Sequence, residues 1–270
     1  MRVENYISYQ GSKSNIIDFI VSGIHEYTEV GDTVLDIFAG SGAVSFALSD
    51  SYNIIANDVE PYSATINKAI LGNHQIQEDD IPVILKTASD YFEWLLKEES
   101  LSEYINNESR CLHQQDLPGI LGLYSKYPTI WNTPSLTPTV LRDSGRFNLF
   151  TRYYGASYFG IKQAMEIDSL IYSIFDWDRD TDLLYSCLFY SMKETVFSKD
   201  GHMAQPLNFE RFPKRGFDVR KKSVLGYFRK KLHDVIVNEP EFYGHNVVYN
   251  RDFKDLLEDD SIIYYVVPIK

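Results

Sequence analysis

The sequence predicts an α/β chain, and three stretches carry that expectation. Val34-Leu35-Asp36-Ile37-Phe38 is a short apolar run with β-branched and aromatic members, the composition of a buried strand. Ala39-Gly40-Ser41-Gly42 breaks it with small residues, and Ala43 to Leu48 resumes as a helical pattern. Asn53-Ile54-Ile55-Ala56 is then a second strand, ended by Asn57-Asp58. Strand, glycine turn, helix and strand together make a βαβ unit, the building block of a parallel sheet.

The same unit points to a ligand. A strand that passes through a tight turn into a helix leaves unpaired backbone N–H groups facing a crevice. An acid at the tip of the second strand, here Asp58, accepts both hydroxyls of a ribose. The turn reads D-x-F-x-G-x-G instead of the G-x-G-x-x-G of a dinucleotide site, and no G-x-x-x-x-G-K-[ST] occurs. Asp36 would repel a phosphate but suits a cation, which favours S-adenosylmethionine with its positive amine and sulfonium. Two other readings of these residues stand beside it: a nicotinamide cofactor, and small residues that serve only helix–strand packing.

At 270 residues the chain holds one large or two modest domains. It is 44% hydrophobic with 20 tyrosines, so core material is ample and disorder is excluded. Cys111 and Cys187 make neither a disulfide framework nor a metal set. Without a signal peptide or a long apolar run, a cytoplasmic protein with no membrane partner and no metal is expected.

From the N-terminus, Ser14 caps an apolar helix carrying Ile16, Ile17, Phe19, Ile20, Val21 and Ile24. Lys13, in the turn before it, is either a surface lysine or a neighbour of the pocket. Pro61 opens a helix that runs through Leu71 and is ended by Gly72-Asn73. Tyr62, in its first turn, is either a wall for an adenine ring or a packing residue. A helical pattern persists from Asp79 to Tyr104, after which residues 105–145 show no long periodic run; Pro128 to Pro138 reads as loop. Further helices are expected from Lys162 to Phe175 and from Asp182 to Phe197. Strand patterns return at Asn246–Tyr249 and Ser261–Tyr265.

The net charge of −12 argues against nucleic acid, but it hides an asymmetry. Arg211, Lys214, Arg215, Arg220, Lys221, Lys222, Arg229, Lys230 and Lys231 fall within 21 positions that hold one acid, Asp218. They are interleaved with Phe212, Phe217, Tyr227 and Phe228. Solvated faces rarely segregate this far, so the segment reads as a phosphate-backbone contact surface. Arg146, Arg152, Tyr153, Tyr154, His202, Gln205 and Asn208 are also of types that meet phosphates or base edges.

Six motifs now stand in order: YQGSK at 9–13, LDIFAGSG at 35–42, ANDVEPYS at 56–63, YYGASYFGIKQAMEIDSLI at 153–171, GHMAQPLNFERF at 201–212 and NRDF at 250–253. In content and order they resemble the Dam-like, D12 class DNA adenine N6-methyltransferases, over essentially the whole chain. The resemblance implies a Rossmann-like S-adenosylmethionine-dependent core formed by residues 1–90 and 240–270, with a helical target-recognition insert at 91–239. It implies Tyr9 and Lys13 as the N-terminal cofactor motif, Asp36, Phe38 and Gly40 as the cofactor loop, and Asp58 as the ribose acid. Asp252 and Phe253 become adenine-ring contacts, double-stranded DNA the partner, and S-adenosylhomocysteine the product.

One departure matters. The family places D-P-P-Y after a strand such as IIYY, where this chain has Val266, Val267, Pro268 and Ile269. Adenine N6 is a poor nucleophile, because its lone pair is delocalised into the ring. The motif's carboxylate and a proline carbonyl accept its hydrogens, and the aromatic ring holds the flipped base. No D-P-P-Y or N-P-P-Y occurs in the 270 residues, and the strands that follow the motif are missing too. The isolated chain is therefore expected not to transfer a methyl group. A fragment or reading-frame break ahead of D-P-P-Y, a second polypeptide supplying it, a non-catalytic protein that binds cofactor and DNA, and a methyltransferase for small molecules or proteins are the other readings. The basic segment argues against the last.

Overall fold

The computed structural model describes residues 6–7, 16–201, 203 and 205–259. Tyr9, Lys13, Ser14, His202, the expected strand at Ser261–Tyr265, and Val266, Val267, Pro268 and Ile269 lie outside them. The chain forms two compact units: Met1–Gln75 with Asp182–Ser186 and Val235–Lys270, and Ile76–Thr181 with Cys187–Asp234.

The first unit contains α1 (Ile17–His25), β1 (Thr33–Asp36), α2 (Ala43–Leu48), β2 (Asn53–Asn57), α3 (Pro61–Leu71), β3 (Asn246–Tyr249) and α12 (Phe253–Leu257). The strands form one parallel sheet in the order β1-β2-β3. Thr33 to Asp36 pair with Asn53 to Ala56, and Ile54 to Asn57 with Asn246 to Tyr249. All three strands therefore end at one level. β2 is central and buries Ile54 and Ala56 completely, whereas every β1 residue is only half-buried. The expectation of a buried strand over Val34–Phe38 is corrected accordingly. β1 ends at Asp36 and lies at an edge of the described sheet, so one flank lacks the cover that β2 has on both.

α3 begins at Pro61 as its sequence requires, because the missing N–H would have had no partner in the first turn. It ends at Gly72, though not by a left-handed turn: Gly72 has φ −92°. A Cβ there would lie 2.6 Å from the Lys68 carbonyl oxygen, which is the physical demand for glycine. In α1, Ile16 holds the N-cap position and makes no side-chain cap.

The second unit contains α4 (Asp80–Glu98), α5 (Ser102–Gln114), α6 (Leu117–Lys126), α7 (Pro138–Asp143), α8 (Ile161–Trp177), α10 (Pro213–Arg220), α11 (Val224–Val237) and most of α9 (Thr181–Thr195). Helix α4 buries Ile81, Ile84, Ala88, Tyr91 and Leu95, a stripe at three- and four-residue steps, and packs on α8. The second unit begins at Ile76, ahead of this helix. Residues 105–114 and 117–126, which show no long periodic run in sequence, fall in α5 and α6. The buried stripe of α5 is Glu108, Cys111 and Leu112, so a carboxylate occupies the place where an apolar residue would have shown the period.

Three buried carboxylates organise this unit. Glu108 accepts from the N–H groups of Ile161 and Lys162 at 2.7 and 2.9 Å and from the Tyr124 hydroxyl at 2.6 Å, satisfying the first turn of α8. Glu166 accepts from the Val224 N–H at 2.6 Å and from the Ser223 hydroxyl, doing the same for α11. Asp168 accepts from the N–H groups of Phe150 and Thr151 at 3.0 and 2.7 Å, where a π-helical turn, Phe150–Tyr154, begins. Burial pushes the Glu166 carboxyl up, and pushes Asp168 up to about 6 against the hydrogen bonds from Thr151 and Phe150. No helix among the described residues is long and apolar enough to cross a membrane.

An acid whose folded pKa exceeds its ordinary 3.8 stabilises the fold while protonated. Asp168's contribution is full below about pH 4 and is lost as the pH rises through about 6. Relative to Asp168→Asn, the wild-type chain should therefore lose up to about 3 kcal/mol between about pH 4 and pH 7. Urea unfolding of both proteins across that window measures it, and a constant difference would show that Asp168 does not titrate there.

Candidate functional site

The level ends of the three strands bring together residues far apart in sequence. Past β1, the chain turns through Gly40 and Gly42, both left-handed with φ +54° and +75°. A Cβ on Gly42 would sit 2.3 Å from Ile70 Cδ1 and 2.6 Å from Asn67 Oδ1, so the turn is seated directly on α3. The Asp36 carboxylate accepts from the Ser45 hydroxyl at 2.7 Å. Asp58 is buried, and its two oxygens accept the N–H groups of Gly40 and Glu60 at 2.8 and 3.0 Å. The acid predicted for a ribose thus also braces the glycine turn; each oxygen retains a second lone pair.

At the end of β3, Asp252 is exposed and caps α12 by accepting the Lys254 N–H at 2.9 Å. Phe253 follows, with its ring centroid 5.4 Å from that of Phe38. Both rings are exposed, Phe38 at 62%, which is unusual for phenylalanines beside a buried sheet. Three carboxylates, two open aromatic rings and a turn without side-chain bulk are the donor set for a ligand with a cationic part, a polyhydroxyl part and a flat ring. Asp36, Phe38, Gly40, Asp58, Asp252 and Phe253 are assembled in one unit; Tyr9 and Lys13 fall outside the described residues. Tyr62 is exposed.

Sequence reasoning passed over the asparagines that hold this cluster. The Asn57 amide nitrogen donates to the carbonyls of Ile37 and Arg251, and that of Asn250 to the carbonyls of Asp58 and Val59. The Asn67 nitrogen donates to Gly40 and Ser63. The signal was available in part, since asparagine sits at the strand end shortly before an acid in both Asn57-Asp58 and Asn250-Arg251-Asp252.

In the second unit the basic segment divides. Arg211, Lys214, Arg215, Lys221, Arg229 and Lys230 are exposed, and Lys222 is half-buried with its Nζ on the Glu194 carbonyl at 2.8 Å. Arg220 and Lys231, expected among the phosphate contacts, are buried. Arg220 donates to the carbonyls of Ser157 and Tyr158 and lies over the rings of Tyr124 and Phe197, and burial lowers its pKa. Lys231 lies over the Tyr190 ring, and burial lowers its pKa to about 8. Both are side chains of helices packed on their neighbours, which no charge count distinguishes from surface cations.

Arg152 likewise turns inward, paired with Glu99. Burial alone would raise the Glu99 carboxyl, but the hydrogen bond and charge of Arg152 outweigh it and hold the group below its ordinary value. Exposed Arg146 pairs with the same Glu99 and with Glu98. Tyr153 and Tyr154 are half-buried, while Gln205 and Asn208 are exposed. Lys221 shares a cleft with Lys162 and His113. Among the described residues no group of His, Cys, Asp and Glu is placed to hold a metal ion.

Residues 9–155 match the family model of the D12 class N6 adenine-specific DNA methyltransferases. The chain belongs to that family. It is also 31% identical over 116 residues to the modification methylase LlaI of Lactococcus lactis subsp. lactis, a stretch covering 43% of this chain and 18% of that relative. No solved structure matches the chain. The first unit holds an α/β methyltransferase-like core with a parallel three-stranded sheet.

Gly42→Ala should destabilise the chain by about 1–3 kcal/mol, since it adds both a disfavoured φ and a clash with α3. Gly145 is also left-handed, but nothing lies within 4 Å of the position of a Cβ there. Gly145→Ala is thus the control for φ alone, and chemical denaturation of the two variants separates the contributions. Equal losses would mean that packing against α3 is immaterial.

Proposed function

We propose that this chain is the cofactor- and DNA-holding part of an S-adenosylmethionine-dependent DNA adenine N6-methyltransferase, with a Rossmann-like core. The observation that supports the reading best is the convergence of Asp36, Phe38, Gly40, Asp58, Asp252 and Phe253 at the strand ends of a family member. Bound there, S-adenosylmethionine supplies an electrophilic methyl group on a sulfonium. In this reading Asp36 faces the cationic methionine part, Asp58 the ribose, and Asp252 with Phe253 the adenine ring. The exposed cations Arg211, Lys214, Arg215, Lys221, Arg229 and Lys230, with half-buried Lys222, hold the DNA backbone. Lys162 and His113 join Lys221 in its cleft.

The 270 residues contain no D-P-P-Y. Without that carboxylate and carbonyl, nothing draws the N6 lone pair out of the adenine ring, so in this reading the tetrapeptide lies outside these 270 residues, on a continuation of the chain or on a second polypeptide. Labelled S-adenosylmethionine and duplex DNA should give the chain alone no turnover above a no-protein control. Adding a polypeptide that carries the motif should restore transfer. Turnover by the chain alone would remove the need for a partner. DNA binding without transfer in either case would favour the non-catalytic reading.

The DNA role is tested apart from catalysis. Reversing the charge of Lys214, Lys221 and Lys230 together should weaken binding to every duplex alike. It should also lower the slope of log affinity against log salt by about 1 for each phosphate left without its lysine. Unchanged affinity and slope would discredit the segment's role.

A further inference from the structure

We propose that Asn57 is a positioning residue for the cofactor pocket: its buried amide locks the ends of β1 and β3 to β2, and so fixes the glycine turn and the Asp252–Phe253 corner in register. The inference rests on the cofactor reading above and adds a residue to it.

Asn57 is the last residue of the central strand and is 1% exposed. Its side-chain nitrogen donates to the Ile37 carbonyl at 3.2 Å and to the Arg251 carbonyl at 3.1 Å. Its side-chain oxygen accepts the Arg251 N–H at 3.1 Å. Its own carbonyl accepts the Ala39 N–H at 2.9 Å. One residue thus satisfies backbone groups on both flanking segments at the point where sheet pairing stops. Ile37 lies between Asp36 and Phe38, and Arg251 directly precedes Asp252. Asp36, Phe38, Gly40, Asp58, Asp252 and Phe253, the candidate cofactor residues among the described ones, are therefore each within a few positions of an Asn57 bond.

A carboxamide at the reach of asparagine suits these bonds. An amide offers two donors and an acceptor in one plane, and the two carbonyls with one N–H demand that set. Aspartate is nearly the same size but presents only acceptors when ionised, so it would face two carbonyl oxygens with a negative charge. Protonated, it regains one donor. Such a variant turns the clamp into a pH-dependent one, which a residue that merely filled space would not do. Asp36, Asp58, Asp252 and Arg251, the charged groups next to its bonded segments, are present in both proteins, so the readout is the difference between the two pH profiles.

The experiment is calorimetric titration of S-adenosylhomocysteine into the full chain, wild type and Asn57→Asp, from about pH 5 to about pH 8. Thermal melts are followed by circular dichroism on the same samples. We expect the variant to bind about tenfold or more weakly at the upper end, with the deficit narrowing as the pH falls. Asn57→Ser keeps one donor and leaves room for a water; it should fold and bind several-fold more weakly without that narrowing. Wild-type affinity in a folded variant, or a lower Tm with unchanged Kd, overturns the positioning role. If Asn57→Asp does not fold, Asn57→Ser decides by the same criterion. Failure of the wild-type chain to bind S-adenosylhomocysteine is a separate result, which overturns the cofactor reading itself.

Discussion

A parallel sheet ends with all its strands pointing the same way, and the last peptide groups of each strand have no ladder partner. In the first unit this constraint governs everything near the candidate cofactor site. The sheet order puts Asn57 in the centre, between the ends of β1 and β3. Its amide, with that of Asn250, takes up the carbonyls left over at Ile37, Arg251, Asp58 and Val59. Burying any of these groups without a partner would forfeit on the order of 1–3 kcal/mol. Satisfying them with side chains instead of water lets the chain make sharp turns there, and the turns carry the acids and rings.

The same requirement takes another form in the second unit. Helices α8 and α11 start against buried side chains of the packed unit, and carboxylates accept their first N–H groups. Glu108 and Glu166 cap these starts, while Asp168 secures the π-helical turn. The arrangement links strength to burial. The charge-assisted bonds are strong because the surroundings are apolar, and the same surroundings raise the pKa of Glu166 and Asp168. Two of the three acids lie on α8, which also packs on α4, so α8 organises the unit electrostatically and sterically.

The legible parts of this chain are those where local chemistry and tertiary role coincide. β3 and α2 fall where apolar runs and glycines place them, and Pro61 and Gly72 bound α3. That Asp58 and the glycine turn lie together was readable because an acid at a strand tip and a glycine turn have one geometric consequence each. What remained hidden were polar residues in apolar places. Glu108 concealed the stripe of α5, and Asn57 read as an ordinary turn residue until its partners, 20 and 194 positions away, were known. Buried polar groups are defined by partners distant in sequence, so no local period announces them.

The basic segment shows how far composition carries. Nine cations in 21 positions read as one surface, yet α10 and α11 are amphipathic helices that must bury a face. Phe217, Val219, Phe228 and Leu232 supply that face, and Arg220 and Lys231 go in with them. Their stems add apolar contact, while their charged heads find carbonyls or rings. Even so, the exposed remainder is densely cationic: Arg211, Lys214, Arg215 and Lys221 lie within eleven positions, against the exposed Asp218. In a chain with net charge −12, a cluster of that sign left in solvent contributes nothing to the core. Under the proposed reading, such a cluster would offset the repulsion between an acidic protein and a polyanion, and salt would weaken the association by screening the cation–phosphate attraction.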